Sequence, residues 1–407
     1  MMILRTAFRV LLAASVLAAC SCSGLAQDVP VSPADVSRGE QTKLNSLYLE
    51  YVPRGVLGID VRDEGAYVLT GEELRVYDIT HASKPRQLVR YPLPVAAGDV
   101  KATGPYVVTV GGQMHEAVGY LIVLDVSNPE TIRQVGKVDL PWGCVSVELK
   151  GNIAYVGGFD EGLFIVDLAD KTKPRLVHNV RFPRFDNPKA SLPIFSARRA
   201  NTPESKLAHF PWKMGRTWWS HIEDDLLYVC DESTGLHILD ISDPIAPKEL
   251  SQFIHELWEG TNNLAVDAFN DIDIVGNVAY VAIDNGGMVV VDVSSKEAPS
   301  LAAHYDPWKD FIWRNSPGHM VKIMVKDGVA YLTAGKEGLY LLDVTDPRNP
   351  TVLAKHHSVR SGKGVGWGLF VNERYIFVGY MSIDPATNDK RCQGAWEIVE
   401  RPTRTAK

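Results

Sequence analysis

A seven-residue pattern recurs six times along the chain, and it constrains the fold more than any other feature. The copies run Leu74 to Thr80 (LRVYDIT), Leu121 to Ser127 (LIVLDVS), Leu163 to Ala169 (LFIVDLA), Leu236 to Ser242 (LHILDIS), Met288 to Ser294 (MVVVDVS) and Leu339 to Thr345 (LYLLDVT). Successive aspartates, from Asp78 to Asp343, are separated by 47, 42, 73, 52 and 51 residues. Upstream of most copies lies a second β-rich run ending in a Gly-containing turn, as at Ala66 to Gly71, Ala154 to Gly158 and Ala330 to Gly335. A short alternating run precedes that, such as Val145 to Leu149 or Ile272 to Val275, and a fourth follows the aspartate, such as Pro247 to Phe253. Each unit therefore reads as four short strands with polar turns, and no long helical periodicity interrupts them. Tandem helix pairs of similar period are excluded by composition, because the cores are Val, Ile, Leu and Tyr bounded by Gly, Asp and Pro.

Four-stranded units recurring at about 40 to 50 residues are the requirement for a β-propeller blade, since a lone blade exposes apolar faces that stacking around an axis buries. A seventh unit is partly visible in Val365 to Val371, Tyr375 to Tyr380 and Gly394 to Glu400, without the aspartate and without a fourth strand. The run Ser46 to Val52 is an orphan strand with no unit before it. Pairing it with the last three strands closes the ring and removes an unpaired edge. The expected fold is all-β, a seven-bladed β-propeller of four-stranded blades closed by an N-terminal strand, with six or eight blades as alternatives. The six aspartates fall where strand meets turn, and the expected role is to accept hydrogen bonds from backbone N–H groups of the following turn. A calcium loop needs several oxygen ligands at tight alternate spacing, and the neighbours here are hydrophobic.

The run LFIVD at Leu163 to Asp167, with Ser242-Asp243-Pro244 after another copy, resembles the LVIVD repeat of bacterial surface β-propellers. The resemblance spans roughly residues 55 to 400. It implies the propeller architecture and no particular activity, because the family is defined by its blades.

Residues 1 to 19 carry Arg5 and Arg9, the apolar run Val10 to Leu17, and small residues at Ala18 and Ala19, as an export signal does. The segment Leu17 to Cys20 resembles a bacterial lipobox, which implies lipidation of Cys20, and Ser21 after it implies outer-membrane sorting. Cleavage after Ala26 is the alternative and would leave a soluble periplasmic or secreted protein. Residues 20 to 45, rich in Ser, Pro, Asp and Gln, read as a tether, residues 46 to 400 as the propeller and 401 to 407 as a tail. No later stretch approaches 18 uninterrupted apolar residues, so a lipid anchor is the sole membrane contact expected.

In a four-stranded meander the connections after the second and fourth strands emerge on one face. All long departures from the repeat belong to those two classes. The insert 183 to 217 carries Arg198, Arg199, Arg216 and Trp212 among other basic and aromatic residues. Residues 254 to 270 carry His255, Trp258 and Asp267, and residues 306 to 318 carry Trp308, Trp313 and Arg314. Aromatics beside arginines suit an anionic or sugar-like ligand or a protein partner. The bland alternative is that these loops pack among themselves over the channel. The binding candidates are Arg198, Arg199, Trp212, Trp258, Trp308, Trp313 and Arg314.

The innermost strands begin at the same face, which places Asp60, Asp99, Trp142, Glu148, Trp218, His221, Asp271, Asp273, His319 and Trp367 as channel-mouth candidates. A mixed ring of this kind can in principle hold a metal, yet no His-x-His, His-Glu-x-x-His or Cys-x-x-Cys pair occurs in the mature domain, and no cofactor is expected. His356 and His357 fall on an outer strand, where exposure is expected. Cys144 and Cys230 lie near the same face, either as a disulfide or as buried thiols. Nucleophile-elbow, phosphate-loop and dinucleotide motifs are absent.

The chain has 407 residues, a formal charge of −7 and 45% hydrophobic residues. That balance excludes a disordered chain and gives no electrostatic basis for nucleic-acid binding. The leading expectation is a monomeric, envelope-anchored scaffold that binds an envelope protein, peptide or glycan through loops on one face. A propeller hydrolase or oxidoreductase with a channel-mouth site is the alternative, and a purely structural envelope protein the third.

Overall fold

The computed structural model describes residues 43–94, 97–113, 116–182, 216–232, 234–255, 269–309, 318–357, 364–381 and 392–402. Their strands form seven antiparallel sheets of four strands each, and no helix occurs among the described residues. Blades 1 to 6 span 56–92, 97–140, 146–180, 217–253, 271–305 and 323–356, each a meander from the axis outward. Blade 7 takes three strands from residues 365–400 and its outermost from Ser46–Pro53. The seven-bladed, N-terminally closed ring read from the sequence is the fold observed.

The repeated motif forms the third strand of blades 1 to 6. In blade 3, Leu163 and Ile165 face a cluster shared with blade 4, and Phe164 and Val166 face one shared with blade 2. A strand buried on both faces needs a continuous apolar run rather than alternation, which is why the motif is unbroken up to its aspartate. The core is accordingly divided into seven seams, one between each pair of neighbouring blades, rather than gathered in one centre. The pairing of third with fourth strand shifts register at the same repeat position in each of these blades, for example at Ile165/Val166 and Leu341/Leu342. Such a shift adds local twist.

All six motif aspartates act as the sequence suggests. Asp78, Asp125, Asp167, Asp240, Asp292 and Asp343 each accept the N–H of the residue two positions on, at 2.8 to 3.0 Å. In the first three blades an arginine eight residues later, Arg86, Arg133 or Arg175, also pairs with the carboxylate. Tyrosines of the second strand tie blade to blade: Tyr155 Oη donates to the Pro244 carbonyl at 3.1 Å.

Closure of the ring centres on Glu50 of the N-terminal strand. Its carboxylate accepts Tyr48 Oη at 2.8 Å, Trp396 Nε1 of blade 7 at 3.1 Å and Arg75 Nη1 of blade 1 at 3.2 Å. Arg75, 4% exposed, is held also by Glu73 at 2.6 Å. Between the closing strand and blade 1 the chain turns at Arg54, whose φ is 64°, and Gly55, where a Cβ would meet Met381 Cγ at 2.7 Å. The seam therefore needs a glycine at that crossing.

Candidate functional site

The innermost strand of each blade presents a free backbone edge to the axis, and its N–H groups require partners. In blades 2, 3 and 6 acidic side chains of the preceding blade supply some of them. Asp60 Oδ2 accepts Ala102 N–H at 2.6 Å, and Asp99 Oδ2 accepts Val147 N–H at 3.2 Å. Asp271 Oδ2 accepts Ile323 N–H at 2.9 Å, and Asp273 Oδ2 accepts Val325 N–H at 2.5 Å. The candidates Asp60, Asp99 and Asp271 thus work as clamps between consecutive blades at the axis. Burial pushes the carboxyl pKa of all four aspartates up, against the pull of nearby lysines, His221 and backbone donors.

Equivalent register positions on the inner strands bring Asp60, Lys101, Glu148, His221 and Asp273 to the same level on blades 1 to 5. Met324 and Phe370 complete that level on blades 6 and 7. Lys101 Nζ lies 2.7 Å from Glu148, and His221 Nδ1 lies 3.3 Å from Asp273 Oδ1. Burial opposes the Lys101 ammonium, but Glu148, Asp99 and Asp60 outweigh it and raise its pKa. Lys101 was missed as a site residue in the sequence. It is recognisable there only by aligning the inner strands, where it occupies the position of Asp60 and Glu148.

Toward the insertion-bearing face the channel is filled by indoles. Trp218 and Trp219 of blade 4 stack at 5.2 Å and 17°. Trp367 of blade 7 meets them edge-on at 6.4 and 6.0 Å. Blades 4 and 7 are not neighbours in the ring, so a direct contact between them spans the axis. The Lys322 ammonium of blade 6 sits 4.5 Å from the Trp219 ring and 3.5 Å from Asp271. Phe159 meets Trp218 edge-on at 5.0 Å and carries the Arg216 guanidinium 4.9 Å above its own ring. The result is a column of rings with a cation at each end, joined by Val145, Val321 and the partly buried Trp142.

The loop candidates divide. Arg198, Arg199, Trp212, Trp258, Trp313 and Arg314 lie outside the described residues. Trp308 is 3% exposed and packs in the seam of blades 5 and 6, 6.1 Å from Tyr340; its indole is core rather than an exposed contact, because the turn after Asp306 folds it inward. Arg216, at the end of the insert, is 3% exposed and pairs with Asp160 at 3.0 Å and Glu232 at 3.3 Å. His319 packs under Gly335 at the start of the inner strand of blade 6. His356 is also not exposed: its Nε2 lies 2.9 Å from Glu397, a fully buried carboxylate that accepts Tyr380 Oη as well. Cys144 and Cys230 are buried free thiols, with pKa values pushed up by burial. Among the described residues no group of three or more His, Cys, Asp or Glu side chains is placed to hold a metal ion.

A ring of seven four-stranded antiparallel blades, packed face to face and closed by the N-terminal strand, defines a β-propeller. Five of its blades, at residues 96–139, 144–181, 215–254, 268–307 and 317–356, match the LVIVD repeat model, and the chain is an LVIVD-repeat propeller. No curated protein matches it significantly. Among solved structures, the WD40 β-propeller domain of Doa1 is 10% identical with a TM-score of 0.58, over 89% of this chain and 98% of that one. The Cps50 (Swd1) β-propeller domain of Myceliophteria thermophila is 9% identical with a TM-score of 0.59, over 88% and 100%. BamB from Moraxella catarrhalis is 11% identical with a TM-score of 0.52, over 86% of each chain. At such identities the likeness is one of fold.

Proposed function

We propose that this chain is an exported binding scaffold, anchored to the cell envelope through a lipidated Cys20, that recognises an envelope protein, peptide or glycan with its insertion-bearing face. The observation that carries the reading is the aromatic column across the axis. With indoles from blades 4 and 7 in contact over the channel and the channel acids engaged by neighbouring backbone and lysines, that end of the molecule supports recognition on a surface. A reaction inside the pore loses support for the same reason. Long connections on a rigid scaffold are the usual carriers of binding, and the segments bearing Arg198, Arg199, Trp212, Trp258, Trp313 and Arg314 supply aromatic and cationic groups suited to it.

The test is cross-linking on intact cells with the full chain and with a variant in which 184–214 is replaced by a short Gly/Ser linker. Loss of a recovered partner is expected. An unchanged partner set removes the recognition surface from this insert. For the anchor, Cys20→Ser is expected to move the protein from the membrane fraction to the soluble fraction, and continued membrane association would contradict lipidation at that residue.

A further inference from the structure

An imidazole buried without a hydrogen-bond partner requires an explanation. His255 stands two residues beyond the outer strand of blade 4, Lys248–Phe253, and is 4% exposed. Its Nε2 has no hydrogen-bond partner among the described residues. Its ring meets that of His304, on the outer strand of blade 5, Ser300–Tyr305, with centroids 4.9 Å apart and planes at 85°. His304 Nε2 lies 2.7 Å from the Gly286 carbonyl oxygen. A carbonyl only accepts, so in the neutral ring Nε2 of His304 carries the proton and Nδ1 keeps the lone pair.

Edge-to-face packing accounts for the contact of the two rings but leaves the desolvated Nε2 of His255 unsatisfied. A metal ion accounts for both. Two imidazole nitrogens bound tetrahedrally at about 2.0–2.1 Å set their ring centroids about 5 Å apart, which is the separation found. Metal-bound histidines commonly donate their other N–H to a backbone carbonyl, and Gly286 has that place beside His304.

We propose that His255 and His304 form an open two-histidine site for a divalent transition-metal ion of borderline softness, Zn2+ first among them, at the seam of blades 4 and 5. Imidazole suits this class of ion. No third His, Cys, Asp or Glu side chain joins them among the described residues, and His304, partly exposed, gives the ion access. The inference is independent of the recognition function.

The experiment uses the full chain without a polyhistidine tag, stripped with chelator and dialysed against Zn2+ alone, with Co2+ absorption as a second probe. One bound Zn2+ per chain is expected, together with a visible Co2+ band, and both are lost or weakened at least tenfold in His304→Ala and His255→Ala. His304→Ala, at the partly exposed position, keeps the test valid if His255→Ala does not fold. Absence of Zn2+ uptake, or uptake that survives both substitutions, overturns the site. Thermal midpoints that fall equally with and without Zn2+ would identify a packing contact and overturn it as well.

Discussion

Asp125 shows how one side chain ends a strand and begins a turn. It accepts Ser127 Oγ–H at 2.6 Å and Ser127 N–H at 3.0 Å, and it pairs with Arg133 at 2.7 Å. The Ser127 hydroxyl, then Arg133, hold its pKa down at about 2. An unfolded Asp titrates near about 3.9. The folded carboxyl is thus the stronger acid, and its contribution to stability is present above about pH 4 and lost as the pH falls toward 2. Asp125→Asn is expected to lower the thermal midpoint at pH 7, with the gap to the unsubstituted protein narrowing progressively below pH 4 in thermal melts. Lys101 is the contrasting residue, since removing it strands Glu148, Asp60 and Asp99 in the channel. Loss of one partner from a fully buried pair costs about 3–5 kcal/mol. Because the Lys101 side chain is 34% exposed, Lys101→Met is expected to cost about 2 kcal/mol in urea unfolding.

At the scale of the element, the closing strand Ser46–Pro53 is distinct because it joins the two ends of the chain. It pairs with Cys392–Glu400 in a register that sets Glu50 opposite Trp396 and Tyr51 opposite Ala395. Trp396 is fully buried, 4.6 Å from Tyr77 of blade 1 and 5.2 Å from Tyr48. Its indole is therefore part of the seam between last and first blades. Trp396→Ala is expected to destabilise by about 3–5 kcal/mol. Hydrogen exchange in that variant is expected to accelerate in 46–53 before blades 3 to 5, and uniform acceleration would show that the seam is no weaker than the other six. The motif strands were legible in sequence because burial on both faces writes an unbroken apolar run. The closing strand was legible because a four-stranded unit was one strand short. Bulges between third and fourth strands were not legible, since a register shift leaves the residue types unchanged.

For the whole molecule, the decisive feature is the contact of indoles across the axis. Trp219 lies between Trp218 and the Lys322 ammonium, and Trp219→Ala is expected to cost about 3–4 kcal/mol in denaturant unfolding. A cost below 1 kcal/mol would mean that the column does not brace the ring. By contrast, replacing 184–214 with a linker is expected to leave the thermal midpoint within a few degrees, because blades 3 and 4 remain joined by the Phe159–Thr217 bridge and by Arg216 with Asp160. Of the candidate site, the identities of Asp60, Asp99, Asp271, His221 and Trp367 were readable, but their roles were not. Trp308 and His356 were misjudged for one reason: position in a loop or on an outer strand does not state which way a side chain folds.

The sequence by itself determined what local chemistry and repetition dictate. Apolar runs of strand length, an aspartate at each strand end, and a strand at one terminus matching a gap at the other specify blades, turns and a closed ring. Only the tertiary structure decided what meets across that ring. The channel acids become inter-blade clamps and the tryptophans a column because curvature brings together residues as distant in the chain as Trp218 and Trp367, and no periodicity within one blade encodes which residue of another stands opposite.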